Sequence, residues 1–506
     1  MLEAAISAFE NLFTCPCALG IIPERLMFLF LGVVMGLALG AIPGLGGLVG
    51  LAILLPFTYT MDAFAALAIM IGLIAVTTTS DTIPSVLFSV PGTTGSQATI
   101  LDGHPMARRG EAGRAFGAAY MASMMGGIFG AFVLALSVPI LRPLVLILGS
   151  PEFFMMGILG ISMVAVLSGR ATVKGLIAGA IGLGIGMIGV DPQTGALRWT
   201  FGQLYLWDGI PLVPVTLGIF AIPEIVDLAI KGTRISDVAQ QSIHGAWSGI
   251  RDAWRHSFLV IRSSLIGVWV GAIPGLGVSV VDWFAYGHAV QTEKGATETF
   301  GKGDVRGVIA PEAANNAKEG GSLIPTIAFG IPGSASMALL LAALLIHGIS
   351  PGPDMITKNL DLTYTMIWSL ALANVLGTSI CLMLTPVLAQ VARARIHLLA
   401  PLVIAVVFLA AFQASVQFGD MIALLFFSVL GWFMKRFGWP RPPVILGLVL
   451  SKIIENYLYI SVGAYGLTWL YRPLVLLIML ITAVSLVFGV RQTRRKAVVH
   501  QEGGEA

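Results

Sequence analysis

"GAIPGLG" stands at residues 40–46 and again at residues 271–277, each time inside a strongly apolar stretch. Relative to alanine, a helix interior disfavours glycine by about 1 kcal/mol and proline by about 3. A lipid-spanning helix that runs unbroken has no use for either. Seven identical residues at two places, each set to interrupt a helix, raise the question of what two broken helices are for.

The surrounding composition identifies the medium. Of the 506 residues, 57% are hydrophobic and only 11% charged, with a mean hydropathy of +0.90. Soluble domains carry roughly 25% charged residues, so this chain cannot cover a water-facing surface with charge. Apolar runs such as Phe116–Leu141, Leu362–Ala389 and Pro473–Val490 reach the roughly 20 residues, with about 17 as the lower limit, that cross a bilayer. The expected fold is an all-α polytopic membrane protein of about 12 transmembrane helices, with broken helices or re-entrant hairpins. The first apolar run of useful length follows Arg25 and reads as a true crossing, with no secretory cleavage pattern. A net charge of +3 is too small to suggest nucleic acid. The cysteines are Cys15, Cys17 and Cys381, and the Cys15-Pro16-Cys17 triplet lacks the second ligand pair that a zinc site needs.

Three pairs of anchors relate the two halves of the chain. Gly40–Gly46 matches Gly271–Gly277 at an offset of 231 residues. "IPSVLFSVPGT" (Ile83–Thr93) matches "IPTIAFGIPGS" (Ile324–Ser334) at 241, and "PLVPVTLG" (Pro211–Gly218) matches "PRPPVILG" (Pro440–Gly447) at 229. The order and spacing imply an internal duplication, with a first membrane repeat over 20–235 and a second over 256–490. The polar stretch between them, 231–256, carries Lys231, Arg234, Arg251 and Arg255, and the tail at 491–506 carries Arg491, Arg494, Arg495 and Lys496. The positive-inside rule puts the linker, 236–255, and the tail in the cytoplasm. Glu3, Glu10 and Glu24 against Arg25 favour an outside N-terminus. The first half then begins outside and the second inside, which makes the repeats inverted, as in secondary transporters.

Broken helices survive at membrane depth only inside protein or beside water. Each break frees N–H groups at the start of one half-helix, which favour an anion, and carbonyls at the end of the other, which can hold a cation. Gly44, Gly46, Gly275 and Gly277 are therefore candidates for cation coupling; close helix packing is the plainer use of such glycines. The second anchors place hydroxyls directly after Pro-Gly. Thr93, Thr94, Ser96, Ser334 and Ser336 are candidates to receive a carboxylate, and equally serve as helix N-caps. Asp81 and Asp282 lie beside the anchors and are candidates to carry a proton or help bind Na⁺, the alternative being interfacial residues that face water. Glu312, Asn315 and Asn316 fall on one helical face and can line a cavity or a solvated loop. Asn315 and Asn316 would add amide hydrogen bonds to a substrate. Two polar segments, Leu101–Arg114 and Glu293–Ser322, read as loops. His104, His288 and His347 lack metalloprotease spacing, and no Walker sequence occurs. No catalytic residue, metal or organic cofactor is expected, and uphill transport would draw on a Na⁺ or H⁺ gradient.

These motifs resemble the large membrane subunit of the tripartite tricarboxylate transporters, the TctA family. The resemblance covers nearly the whole chain. It rests on Gly40–Gly46, Pro91-Gly92 with Leu101-Asp102-Gly103, Gly271–Gly277, "PEAANNA" (Pro311–Ala317), "GGSLIP" (Gly320–Pro325) and "GIPGSA" (Gly330–Ala335). It implies a carboxylate importer of the bacterial inner membrane, driven by Na⁺ or H⁺. It also implies a periplasmic solute-binding protein and a small, TctB-like membrane subunit as partners. One departure stands out: Ser80-Asp81-Thr82 occupies the place where the family commonly has a Gly-Gly-Ser run. Substrate and ion choice are therefore open, and a tricarboxylate or a related dicarboxylate or aromatic carboxylate fits. The reading from another class is an ion channel or a passive pore for small anions.

Overall fold

Long apolar helices lie side by side in the computed structural model, which describes residues 1–14, 23–42, 46–167, 172–191, 193–223, 225–226, 245–274, 278–391, 396–413 and 415–502. Six described helices are long and apolar enough to cross a membrane: Glu24–Ala41, Ala63–Phe88, Ala112–Ile147, Leu360–Ala389, Phe418–Arg436 and Pro442–Tyr465. Six shorter apolar helices accompany them, among them Gly46–Thr60, Ser257–Ala272 and Ala335–Ile346. The described β-structure is one small antiparallel pair, Gly189–Val190 with Leu197–Arg198. The chain is thus an all-α membrane protein.

The first GAIPGLG ends one helix and starts its return. Gly32, Gly36 and Gly40 lie so close to the carbonyl oxygens of Ile69, Leu73 and Thr77 that a Cβ would stand 2.1 to 2.4 Å away. Both series rise together, so the helices Glu24–Ala41 and Ala63–Ser80 run parallel. The chain between them must therefore double back. It does so through Gly46–Leu54 and Leu55–Thr60, bringing Asp62 within 3.3 Å of Arg25, where the hairpin began. The second GAIPGLG repeats the device. A Cβ at Gly267 or Gly271 would stand 2.3 or 2.4 Å from the carbonyl oxygens of Ala314 and Lys318. The returning helix, Val278–Thr292, brings Glu293 into an ion pair with Arg262.

Local geometry recurs as well. Ile42 ends its helix at φ −90°, ψ 113° and Ile273 at φ −91°, ψ 110°, each donating its N–H back three residues. At the Pro-Gly anchors, Ser89 (φ 56°) and Gly330 (φ 68°) are both left-handed helix ends. Thr93 and Ser334 follow as extended N-caps. Serine at a left-handed position is uncommon, and glycine adopts it without steric cost.

Two expectations change. The segments read as polar loops are largely helical: Gln97–Arg108 covers the first, and Arg306–Phe329 runs through the second. Within these helices Asp102 and Glu312 are buried and bond to groups across the interior instead of to water, which single-helix composition does not reveal. In the linker, residues 236–244 lie outside the described residues, and Ala246–Arg255 forms a helix with Trp247 and Trp254 exposed. The helix Pro473–Glu502 runs on into the tail.

Candidate functional site

The two Pro-Gly anchors fold back on the helices that precede them. Gly92 lies against Asp81, where a Cβ would stand 2.6 Å from its Cα, and Gly333 lies against Ser322 at 2.7 Å. Only glycine allows these approaches. They bring Thr93 to Asp81, whose Oδ2 accepts a short hydrogen bond from the Thr93 hydroxyl. Thr93 Oγ1 in turn accepts from the N–H of Gly95 at 3.1 Å. A Cβ on Gly46 would meet the Thr93 methyl at 3.8 Å. One predicted glycine of the first break, one predicted hydroxyl and one predicted acid therefore meet at a point. Ser334 caps its own helix, accepting from the N–H of Met337 at 3.3 Å.

The remaining predicted residues divide. Ser96 is buried and bonded to Ser85 at 2.9 Å. Thr94 is exposed and Ser336 half-buried. Gly44, Gly275 and Gly277 lie outside the described residues. Asp282 is fully buried, and both oxygens are engaged. Its Oδ2 accepts from the N–H of Ala98 at 2.9 Å and its Oδ1 from that of Trp283 at 2.8 Å. It holds the N-terminus of the helix Gln97–Arg108.

Glu312, Asn315 and Asn316 are all fully buried on the helix Arg306–Phe329. Glu312 accepts from Thr99 Oγ1 at 2.7 Å and from Ser123 Oγ at 3.1 Å. Asn316 Nδ2 donates to Thr79 Oγ1 at 2.9 Å and to Asn374 Oδ1 at 2.8 Å, leaving its own Oδ1 without a partner. Among the described residues, Asn315 has no partner on either side-chain atom. Buried and likewise without a partner among the described residues are Asp81 Oδ1, Ser322 Oγ and Glu319 Oε2. Leaving such groups unmet costs about 1–3 kcal/mol each, and Asn315, Glu319 and Ser322, at helical spacing on one face of Arg306–Phe329, suit a ligand of matching polarity.

Some members carried no local signal. Asp102, inside Leu101-Asp102-Gly103, receives the Tyr286 hydroxyl and the N–H groups of Gly301, Gly303 and Asp304, at 2.7 to 3.1 Å. It ties the first anchor's helix to the turn that opens Arg306–Phe329. Thr99, Ser123 and Asn374 are ordinary polar residues of apolar helices, and only their partners distinguish them. Lys318 is buried and paired with its neighbour Glu319.

Comparison with known proteins follows the same ground. The model of the "Tripartite tricarboxylate transporter TctA family" matches residues 26–446. An "Uncharacterized 52.8 kDa protein in TAR-I ttuC' 3'region" of Agrobacterium vitis is 31% identical over 437 residues, 86% of each chain. An "Uncharacterized protein in TAR-II ttuC' 3'region" of the same organism is 31% identical over 192 residues, 38% of this chain and 79% of its own. No solved structure matches. The family match spans both hairpin breaks, both Pro-Gly anchors and the buried polar helix between them, and the chain belongs to the tripartite tricarboxylate transporter TctA family.

Proposed function

We propose that this chain is the transport subunit of a secondary active importer of organic carboxylates in the bacterial inner membrane. Its partners are a periplasmic solute-binding protein and a small membrane subunit, and a Na⁺ or H⁺ gradient drives it. Thr93, Thr94, Ser96, Ser334, Ser336 and Asn315 receive the substrate. Asp81 and the backbone at Gly44, Gly46, Gly275 and Gly277 serve the coupling cation. The observation that carries this reading is the buried, unpaired polar set, above all Asn315, beside two geometrically matched hairpins.

The inverted repeat, 20–235 and 256–490, is part of the proposal, as are about 12 membrane elements that count the shorter apolar helices with the long ones. Helix direction supports it. Gly127 packs on Asn374, and Thr378 donates to the Tyr120 carbonyl, so Ala112–Ile147 and Leu360–Val391 run antiparallel. These two helices follow the matching Pro-Gly anchors of the two halves.

The test is uptake of citrate, succinate and terephthalate into proteoliposomes that hold both membrane subunits, with the binding protein outside. A carrier concentrates a substrate when a cation gradient is imposed. Equilibration without accumulation under every gradient identifies a passive pore instead.

A further inference from the structure

Asp81 is an acid whose counterpart in the other hairpin is not. Gly92 rests on Asp81 as Gly333 rests on Ser322, and Thr93 and Ser334 follow as the capping hydroxyls. Each hydroxyl oxygen accepts a helix-cap N–H and has one proton left to donate. Ser334 has no carboxylate partner among the described residues, whereas the Thr93 proton is committed to Asp81 Oδ2.

Asp81 itself is fully buried, and its Oδ1 has no partner among the described residues. The charged groups around it are Glu312 and Lys318 from the helix Arg306–Phe329, and Asp282 from Val278–Thr292. Lys318 is spent on Glu319. Glu312 is held by Thr99 and Ser123, and Asp282 by the N–H groups of Ala98 and Trp283. No described cation lies within ion-pair distance of Asp81. A buried carboxylate in that position takes up a proton or an ion in some part of its working cycle.

Resting on the carrier reading above, we infer that the coupling ion is a proton carried by Asp81, and that Thr93 passes its arrival on to the substrate. With Asp81 ionised, the Thr93 hydroxyl donates to it and is closed to an anion. A proton on Asp81 reverses that bond. The carboxyl O–H donates to Thr93 Oγ1, which still accepts from Gly95, and the Thr93 proton turns outward to a substrate carboxylate. Protonation also removes one negative charge beside the arriving anion. Loss of the proton on the other side of the membrane draws the Thr93 hydroxyl back to Asp81 and expels the substrate. One proton enters and leaves per cycle, and Ser334 serves the substrate without such control.

The test uses the same proteoliposomes, free of Na⁺, with the membrane potential clamped to zero by potassium and valinomycin. Citrate, succinate and terephthalate are the probes. Wild type accumulates a probe when the outside is made acidic, by about tenfold per pH unit for each proton carried, and the external medium turns alkaline as uptake proceeds. Asp81→Asn loses this accumulation but still exchanges internal for external probe, and its KM no longer changes with pH. Asp81→Glu, which keeps a titratable acid, retains coupling. The inference is overturned if Asp81→Asn still accumulates on the pH gradient, or if wild type responds to a Na⁺ gradient and not to pH. Should the asparagine variant fail to fold, Asp81→Glu decides: it keeps coupling with its pH profile of uptake displaced from that of wild type, and an undisplaced profile overturns the inference. Absence of concentrative uptake by wild type under any gradient overturns the carrier reading, and this inference with it.

Discussion

Asp282 carries the N-terminus of a helix from the other half of the chain: its Oδ2 accepts the Ala98 N–H at 2.9 Å, across 184 residues of sequence. The bond is a cap supplied in trans, and it joins the returning arm of the second hairpin to the segment after the first Pro-Gly anchor. Loss of an acidic cap costs about 0.5–2 kcal/mol. Asp282→Ala is expected to destabilise the purified protein by that amount, with Asp282→Asn recovering most of it. Thermal unfolding in detergent measures both, and an unchanged midpoint for the alanine variant contradicts the assignment.

The two adjacent asparagines are expected to behave oppositely. Asn316 donates to both Thr79 and Asn374 inside the protein, so Asn316→Ala strands buried partners at a cost of about 1–3 kcal/mol. Asn315 satisfies nothing among the described residues. Asn315→Ala should leave stability unchanged or raised, while the KM for carboxylate uptake increases several-fold. A stability loss equal to that of Asn316→Ala, with unchanged KM, would assign Asn315 a structural part only.

Glycines of the first break separate packing from function. A Cβ on Gly40 would stand 2.4 Å from the Thr77 carbonyl oxygen, whereas on Gly46 its nearest contact, at 3.8 Å, is the Thr93 methyl. Gly40→Ala is expected to abolish folded yield, because helix backbone cannot move aside. Gly46, at φ +42°, has the room but not the conformation. Alanine there should cost about 1 kcal/mol and still yield folded protein, with a changed cation dependence of uptake. Size-exclusion yield and initial uptake rates, normalised to folded protein, distinguish the two.

Topology follows from charge. Basic residues of the 231–256 stretch and of the tail, Arg491 to Lys496, are expected on the cytoplasmic side. Single cysteines placed in either segment should resist a membrane-impermeant maleimide in intact spheroplasts and react after lysis. Labelling of the tail in intact spheroplasts contradicts the orientation and the inverted repeat built on it.

What the sequence by itself determined was the medium, the duplicated motifs and the positions of the breaks. Apolar composition selects lipid, and the helix penalties of Gly and Pro act over a few neighbouring residues, so both are visible in a short window. The pairing of Gly92 with Asp81 and of Gly333 with Ser322 was present only as a repeated offset. Tertiary structure decided the rest. It made GAIPGLG a hairpin tip, because the carbonyls facing Gly36 and Gly40 belong to a later, parallel helix. It turned two polar "loops" into buried helices, because Thr99 finds Glu312 and Asp102 finds Gly303, each some two hundred residues away. Asp81 and Asp282 look alike in sequence, yet one has an oxygen left without a partner among the described residues and the other spends both on backbone N–H groups. A buried polar group takes its meaning from its partners, and those partners come from distant parts of the chain.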